Sequence, residues 1–290
     1  MESRWRGFGN VLRMASTEDG RTILELSGRL YDAQEYLSGQ SLFERYPSSG
    51  PAPNVAVPLQ GDRLSILAEA LAQFHRSTLH LPPDPDREVA PLPERLDGLA
   101  TEMKLCHEVL LDEARERAGG KERETALRWL EVVPHALAVA REASGKSPGA
   151  RDTRVLCHGD LWPAHVYFDG DDFVGFADFD SLVFAPSALD LAQLIGHFGG
   201  WGTRAVVLEA YERIAPLGER CREALQRELP LELVADLVGE GLWGLWALRA
   251  LYGQLSSETN PVQREAHVLN MSVLLGCLED ASEEVEALLG

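Results

Sequence analysis

Residues 155–196 decide the fold of this chain and read VLCHGDLWPAHVYFDGDDFVGFADFDSLVFAPSALDLAQLIG. The apolar run Val155–Cys157 predicts a short strand. Val166–Phe168 and Phe173–Ala177 predict a β-hairpin, because an Asp-Gly turn signal follows the first of them. A strand followed by a hairpin therefore lies in a part of the sequence that is otherwise helical in pattern.

Three carboxylates in this stretch occupy defined places. Asp160 lies in the loop after the first strand, Asp178 closes the hairpin, and Asp190 opens the next helix. A loop carboxylate can accept the proton of an attacking hydroxyl, and a carboxylate at a nearby strand end can hold Mg²⁺ against phosphate oxygens. The stretch therefore indicates phosphoryl-transfer chemistry.

Upstream of this stretch, the pattern changes from strand-like to helix-like. Thr22–Leu26 and Leu30–Tyr36 are rich in β-branched, aromatic and leucine residues, which predicts a small antiparallel sheet. In Arg63–Thr78, apolar residues recur at the spacing of one buried helix face. Further long helices are predicted at Pro93–Ala118 and Glu122–Ser144.

Prolines predict where several helices bend or begin. Pro134 predicts a bend or break, whereas Pro230 and Pro261 predict the first turns of later helices. The predicted fold class is α+β, with a small β-rich N-terminal lobe, a hinge and a large, mainly helical lobe that contains the hairpin.

Composition and charge exclude some function classes. The chain has 290 residues, 46 acidic and 27 basic, and its net charge of −19 argues against a nucleic-acid-binding surface and favours a cationic partner. The four cysteines are widely spaced, which is typical of reduced thiols and predicts a cytoplasmic protein. No signal peptide and no apolar run of about 18 residues is present, so we expect no membrane segment.

The motifs together resemble the aminoglycoside phosphotransferase and choline kinase family, which has a protein-kinase-like fold of two lobes. The resemblance rests on His158-Gly159-Asp160, on Ala177-Asp178-Phe179-Asp180 and on Asp190-Leu191-Ala192, in the family's order. Arg29–Gln40 is similar to the family's last N-lobe strand and hinge, and Leu71–His75 to the helix that follows. The implied domains are an N-lobe with hinge at 1–40 and a helical C-lobe at 41–290, with the catalytic loop at 155–180.

The resemblance implies roles for individual residues. Asp160 would be the catalytic base, His158 would shape the catalytic loop, Asp178 would bind Mg²⁺, and Asp190 would brace the loop. Asp180 would be either a group behind the metal ligands or part of the acceptor site. The hinge residues that would offer main-chain groups to the nucleotide base are Gln34, Glu35 and Tyr36.

One departure from the family pattern is His165, which stands where the family has Asn, five residues after the base. Mg²⁺ prefers oxygen ligands, whereas imidazole suits softer metals such as Mn²⁺. His165 would therefore shift the metal preference, weaken metal binding, or donate a hydrogen bond to a phosphate instead.

The second departure concerns the N-lobe, because the first 103 residues contain no lysine and no full Gly-rich loop. Kinase-like folds use both to hold the nucleotide phosphates. In the favoured register, Thr22–Leu26 is the penultimate N-lobe strand and the preceding strands are missing, through true loss or a misplaced start. In the rival register, Arg6–Asn10 is a shortened Gly-rich loop and Glu25 stands where the lysine should be.

The expected function is transfer of the γ-phosphoryl group of ATP or GTP to a hydroxyl of a small acceptor, with Mg²⁺ or Mn²⁺. The net charge of −19 favours a cationic acceptor. The alternative is a non-catalytic kinase-like protein that binds a ligand or partner, which the missing lysine and His165 favour. An incomplete N-lobe would also expose an unpaired sheet edge, which favours dimerisation or aggregation.

Overall fold

The computed structural model describes residues 23–26, 29–32, 37, 39–42, 59, 61–146, 154–253 and 261–290. At the N-terminal side, strands β1 (Ile23–Leu26) and β2 (Arg29–Asp32) form an antiparallel pair. Both overlap the strands predicted from the sequence. The rest of the second predicted strand, residues 33–36, lies outside the described residues.

The predicted hairpin is confirmed and has a third strand. Strand β3 (Gln40–Ser41) pairs with the first strand of the hairpin, so this sheet has three strands. The hairpin strands are β5 (Val166–Asp169) and β6 (Asp172–Phe176), joined by a turn in which Gly170 has a φ of 60°. A Cβ on Gly39 would lie 2.6 Å from the carbonyl oxygen of Phe168, so only glycine fits beside this strand.

A second small sheet leads into the loop that carries His158 and Asp160. Strand β4 (Arg154–Cys157) was predicted, but its partner β7 (Val183–Pro186) was not. The two are antiparallel, and Cys157 lies opposite Val183. This pairing brings the chain after the hairpin back to the start of the loop, so Asp190 follows close to His158.

The remainder of the described chain is mainly helical, which is the predicted α+β arrangement. Short 3₁₀ helices interrupt the chain at residues 85–87, 163–165, 179–181 and 201–203. The α-helices are α1 (Asp62–Thr78), α2 (Leu92–Glu116), α3 (Gly120–Lys146), α4 (Ala188–Phe198), α5 (Arg204–Ile214), α6 (Glu219–Gly253) and α7 (Pro261–Ala287).

The proline-based predictions were partly wrong. Pro261 does begin α7, but Pro230 lies inside α6 rather than in its first turn. Helix α3 is not broken at Pro134, which lies within it. An internal proline removes one backbone hydrogen bond. In α6, the flanking residues Leu229 and Leu231 are buried, so packing holds the helix through the proline.

The core positions the candidate site through two helices. The predicted apolar face of α1 is confirmed, since Leu64, Leu67, Ala68, Leu71 and Phe74 are all buried. Every residue of α4 is buried, because this short helix lies between the loop and α6. Side chains on α4 can therefore bind the loop backbone in a water-free interior.

Among the described residues, no helix is both long and apolar enough to cross a membrane.

Candidate active site

The loop after β4 is shaped by His158, whose ring is fully buried. His158 Nε2 donates to the carbonyl oxygen of Ala177 at 2.8 Å, and Nδ1 accepts from the backbone N–H of Asp160 at 3.4 Å. Burial lowers the pKa of His158, against the opposing effect of the nearby Asp190 charge. The neutral ring thus joins the loop to the end of the hairpin.

Asp190 braces this loop from the first turn of α4. One carboxylate oxygen accepts the backbone N–H of His158 at 2.7 Å and the Nε2–H of His75 at 2.9 Å. The other oxygen accepts the backbone N–H of Gly159 at 3.0 Å. Burial alone would raise the pKa of Asp190, but the hydrogen bond and attraction of His75, together with the loop contacts, lower it. Asp190 is therefore an ionised, fully bonded support of the loop backbone.

Gln193, one helical turn after Asp190, holds the other side of the loop. Its amide oxygen accepts the N–H of Leu161 at 2.9 Å, and its NH₂ donates to the carbonyl oxygen of Gly159 at 3.2 Å. The same NH₂ lies 3.3 Å from an oxygen of Asp236 on α6. The loop backbone is thereby fixed on both faces by side chains of α4.

Asp236 also contacts His197, whose Nε2 lies 3.2 Å from the second carboxylate oxygen. Burial alone would lower the pKa of His197, but the hydrogen bond and charge of Asp236 raise it. His197 therefore lies against one oxygen of Asp236, while the other oxygen contacts Gln193.

The predicted chemical groups come together at the mouth of the loop. Asp160 and Asp178 are 49% and 51% exposed, and His165, at 11%, lies between them. His165 Nδ1 is 3.6 Å from an Asp160 carboxylate oxygen, and Nε2 is 3.3 Å from an Asp178 oxygen. Both carboxylates can therefore reach solvent and substrate, while their backbone lies on a rigid interior.

His165 holds its Nε2 atom 3.3 Å from Asp178, and that atom carries no proton to donate to the carboxylate. Its Nδ1 donates to the Asp160 carbonyl oxygen at 2.8 Å, and its Nε2 accepts from the indole N–H of Trp162 at 3.1 Å. A carboxylate only accepts hydrogen bonds, so two acceptors face each other across 3.3 Å without a proton between them. A nearby cation relieves this repulsion, so the pair fits a divalent metal ion.

Asp178 is held in a left-handed backbone conformation, with φ 58° and ψ 71°. Among the described residues, no other non-glycine residue has a positive φ. Such conformations cost about 1–2 kcal/mol and are concentrated at functional sites. The free-energy cost of this backbone conformation therefore supports a functional role for Asp178 at the mouth of the loop.

The remaining predicted site residues are Asp180 and the hinge residues. Asp180 lies exposed on the 3₁₀ helix directly after Asp178. Gln34, Glu35 and Tyr36 lie outside the described residues, as does the segment Arg6–Asn10 of the rival register.

Sequence reasoning missed the residues that support the loop from elsewhere in the fold. His75 lies 115 positions from Asp190, and its Nδ1 accepts the hydroxyl of Tyr211 at 2.8 Å. Gln193 carried a usable signal, because it lies three residues after Asp190 and so on the same helix face. His75 ends the segment Leu71–His75 that entered the resemblance, but no role was predicted for it. Tyr211 carried no signal, since only the tertiary structure brings it to His75.

Cys157 lies close to this support but is not arranged as a metal ligand. Its sulfur and one donor atom each from His75 and Asp190 lie within 4.8 Å of one another, all buried. Burial and the Asp190 charge raise the pKa of the Cys157 thiol well above its usual range, so the sulfur stays protonated. The other two groups already hydrogen-bond each other.

Gly159→Ala is expected to destabilise the protein more than Gly170→Ala. Both glycines have positive φ, 81° and 60°, and alanine there costs about 1–2 kcal/mol. A Cβ at Gly159 would also collide with the carbonyl oxygen of Ser181, whereas at Gly170 it meets nothing. Urea unfolding measures both free energies; equal losses would contradict a tightly packed loop.

The sequence matches the model of the phosphotransferase enzyme family over residues 5–225. No curated protein matches it significantly.

Solved structures with similar folds include an aminoglycoside phosphotransferase from Alicyclobacillus acidocaldarius, at 18% identity over 97% of this chain and 80% of that one, with a TM-score of 0.59. A spectinomycin phosphotransferase in complex with ADP and spectinomycin has 15% identity, coverage of 96% and 79%, and a TM-score of 0.50. The GDP complex of aminoglycoside 2′-phosphotransferase-IIIa has 18% identity, coverage of 94% and 76%, and a TM-score of 0.51. These similarities confirm the predicted two-lobe, kinase-like fold.

Proposed function

This chain belongs to the phosphotransferase enzyme family, and from that premise we propose that it transfers the γ-phosphoryl group of ATP or GTP to a hydroxyl of a small molecule. The resemblance carried by the His158-Gly159-Asp160 motif and the motifs after it is thereby confirmed. The observation that carries the proposal is the pair Asp160 and Asp178, both half-exposed on either side of His165 at the end of a braced loop.

Asp160 is the proposed base. Its carboxylate takes the proton of the acceptor hydroxyl as that oxygen bonds to the γ-phosphorus, and the bond to the nucleoside diphosphate oxygen breaks. His158, Asp190 and Gln193 support this role by fixing the backbone on both sides of the base.

Asp178 and His165 are the proposed ligands of a divalent cation. The bound metal would neutralise charge on the phosphate oxygens during transfer. The hydrogen bonds of His165 argue against donation to a phosphate, because Nδ1 is already bonded to the Asp160 carbonyl oxygen and Nε2 accepts from Trp162. Coordination requires Trp162 to release its hydrogen bond to His165. A nitrogen ligand favours Mn²⁺ over Mg²⁺.

The substrates are assigned by class. Main-chain groups of Gln34, Glu35 and Tyr36 would bind the nucleotide base, and two of the similar structures hold ADP or GDP. The net charge of −19 supports a cationic acceptor, with Asp180 placed beside the metal ligands or the acceptor. The four free cysteines support a cytoplasmic protein.

The lobe boundary is proposed at residue 40. Strand β3 (Gln40–Ser41) pairs with Phe168 and Tyr167 of the hairpin, which supports a boundary at this strand, with residues 41–290 proposed as the C-lobe and residues 1–40 as the N-lobe with its hinge.

A non-catalytic binding protein is the second candidate, and the absence of lysine from the first 103 residues favours it. Kinase-like enzymes use a lysine on an N-lobe strand to pair with the nucleotide phosphates. Nucleotide binding therefore separates the two candidates.

Calorimetric titration with ATP and GTP, each with Mg²⁺ or Mn²⁺, tests the proposal. We expect metal-dependent binding near 1 μM, about −8 kcal/mol, and loss of the metal-dependent part in Asp178→Asn. Asp172→Asn, an exposed hairpin carboxylate, is the matched control. His165→Asn should shift the preference from Mn²⁺ towards Mg²⁺. A folded chain that binds neither nucleotide would contradict the enzyme assignment and support the second candidate.

A further inference from the structure

A cavity of about 470 Å³ lies behind the support of the catalytic loop. It is formed by the end of α1, the start of β4, Ser187 before α4, the end of α5 with the residues after it, and Cys221 in the first turn of α6. Its volume is in the range of small-molecule binding sites. It shares no lining residue with the site at Asp160, Asp178 and His165.

The cavity walls combine apolar surface with positive charge. Leu79, Val155, Ile214, Pro216 and Leu217 supply apolar surface, and no carboxylate lines the cavity among the described residues. Three arginines line it in a protein that is otherwise strongly acidic: Arg76, Arg154 and Arg213. A mostly apolar wall with a few convergent polar groups is typical of ligand sites.

Arg76 is the arginine available to a ligand. Arg154 pairs with Glu88 at 2.8 Å and Arg213 with Glu69 at 2.8 Å, so their charges are neutralised. Arg76 donates to the carbonyl oxygen of Ile214 at 3.2 Å and has no carboxylate within 4.0 Å in the described part of the chain. Arg76 is exposed, so a bound carboxylate can pair with its guanidinium.

The cavity touches the groups that hold the catalytic loop. His75 and Tyr211 line it and bond each other at 2.8 Å, and the other nitrogen of His75 bonds Asp190. Asp190 in turn binds the backbone N–H groups of His158 and Gly159. A ligand that contacts Tyr211 and His75 is therefore two side chains away from the loop backbone.

We propose that this cavity binds a small molecule with an apolar body and one carboxylate, and that binding stabilises the braced form of the catalytic loop through Tyr211, His75 and Asp190. A ligand that binds the braced form more tightly shifts the loop towards it. The proposal goes beyond phosphoryl transfer, and its binding test does not depend on that activity.

Three probes of equal length test the ligand class: 4-phenylbutyrate, 4-phenylbutan-1-ol and 4-phenylbutylamine. Cys221 reports occupancy, because it lines the cavity and is partly exposed while Cys106, Cys157 and Cys277 are buried. We expect 4-phenylbutyrate to slow alkylation of Cys221 by iodoacetamide, and the alcohol and amine to do so far less. Equal protection by all three probes, or protection by none, would overturn the proposal.

Two variants test the role of Arg76. Arg76→Gln should weaken 4-phenylbutyrate binding about tenfold or more, since it loses a charge-assisted hydrogen bond. Arg117→Gln, on an exposed arginine at the end of α2, is the matched control and should bind as the parent does. Unchanged affinity in Arg76→Gln would contradict the assigned carboxylate contact.

Hydrogen exchange tests the coupling to the loop. Saturating 4-phenylbutyrate should slow exchange of the His158 and Gly159 amides, which donate to Asp190. Tyr211→Phe removes the hydroxyl that bonds His75, so it should still bind the probe but lose most of this protection. If 4-phenylbutyrate binds the parent chain but leaves the exchange rates of the His158 and Gly159 amides unchanged, the proposed coupling between cavity and loop is overturned.

Discussion

Asp160→Asn is expected to lower the rate of phosphoryl transfer by about 10²–10⁴-fold, the usual contribution of a general base. Nucleotide affinity should stay close to that of the parent chain, because the proposed metal ligands Asp178 and His165 are unchanged. An amide has nearly the shape of a carboxylate but cannot take the proton of the acceptor hydroxyl.

The fold should tolerate this change. The backbone N–H of Asp160 bonds His158 and its carbonyl oxygen accepts from His165, and both contacts survive the substitution. The carboxylate itself is 49% exposed. We therefore expect a change in the free energy of unfolding of at most about 0.5 kcal/mol.

Single-turnover rates measured at saturating nucleotide and metal would test the prediction once an acceptor has been found. Asp172→Asn, on the exposed hairpin turn, is the matched control and should transfer at the parent rate. If Asp160→Asn and Asp178→Asn kept the same residual activity and lost the same nucleotide affinity, the separate roles of base and metal ligand would be contradicted.

Local sequence patterns were sufficient to predict the loop, the hairpin and the buried face of α1. The strands of the hairpin are adjacent in sequence, so alternation and a turn signal define them. Asp160, Asp178 and His165 were identified through the same short segment, and the structure places His165 between the two carboxylates, 3.6 Å from Asp160 and 3.3 Å from Asp178. Their grouping is local in sequence, which is why motif reasoning found it.

The support of the loop could not be predicted, because it depends on contacts between distant elements. Strand β7 was missed although Val183, Phe184 and Ala185 are apolar, because its partner β4 is distant in sequence. Val155 and Ala185 pair across 30 positions, and Cys157 and Val183 across 26. His75 looked like any other helical histidine until the fold placed it against Asp190. Pro230 was misread because local proline rules do not include the packing that keeps α6 intact.

Asp190→Ala is expected to lower the free energy of unfolding by about 3–5 kcal/mol, which is the cost of removing one partner of a buried charged contact. The carboxylate is fully buried and accepts from the His158 and Gly159 amides and from His75. Alanine would leave three buried donors without an acceptor. The loss approaches the whole stability of a typical protein, about 5–15 kcal/mol.

Asp190→Asn keeps the volume and one acceptor oxygen, so it should destabilise the protein less than alanine does. Its NH₂ group must still face one of the donor groups that now bind the carboxylate. We expect this variant to fold, to bind nucleotide, and to transfer phosphate more slowly, because the loop that carries Asp160 is less firmly held.

The difference in the free energy of unfolding between the parent chain and Asp190→Asn should depend on pH in a defined direction. Because the folded state lowers the pKa of Asp190, its stabilising contribution is present above about pH 4, the range in which an unfolded aspartate is ionised, and is lost as the pH falls through the lower folded pKa. Urea unfolding of parent chain and Asp190→Asn from pH 7 to pH 3 should therefore give a difference that is constant down to about pH 4 and shrinks below it. Asp172→Asn, which is exposed, provides the comparison for surface carboxylates. A difference that stayed constant to pH 3 would show that the charge of Asp190 does not hold the loop, and the brace would then rest on shape alone.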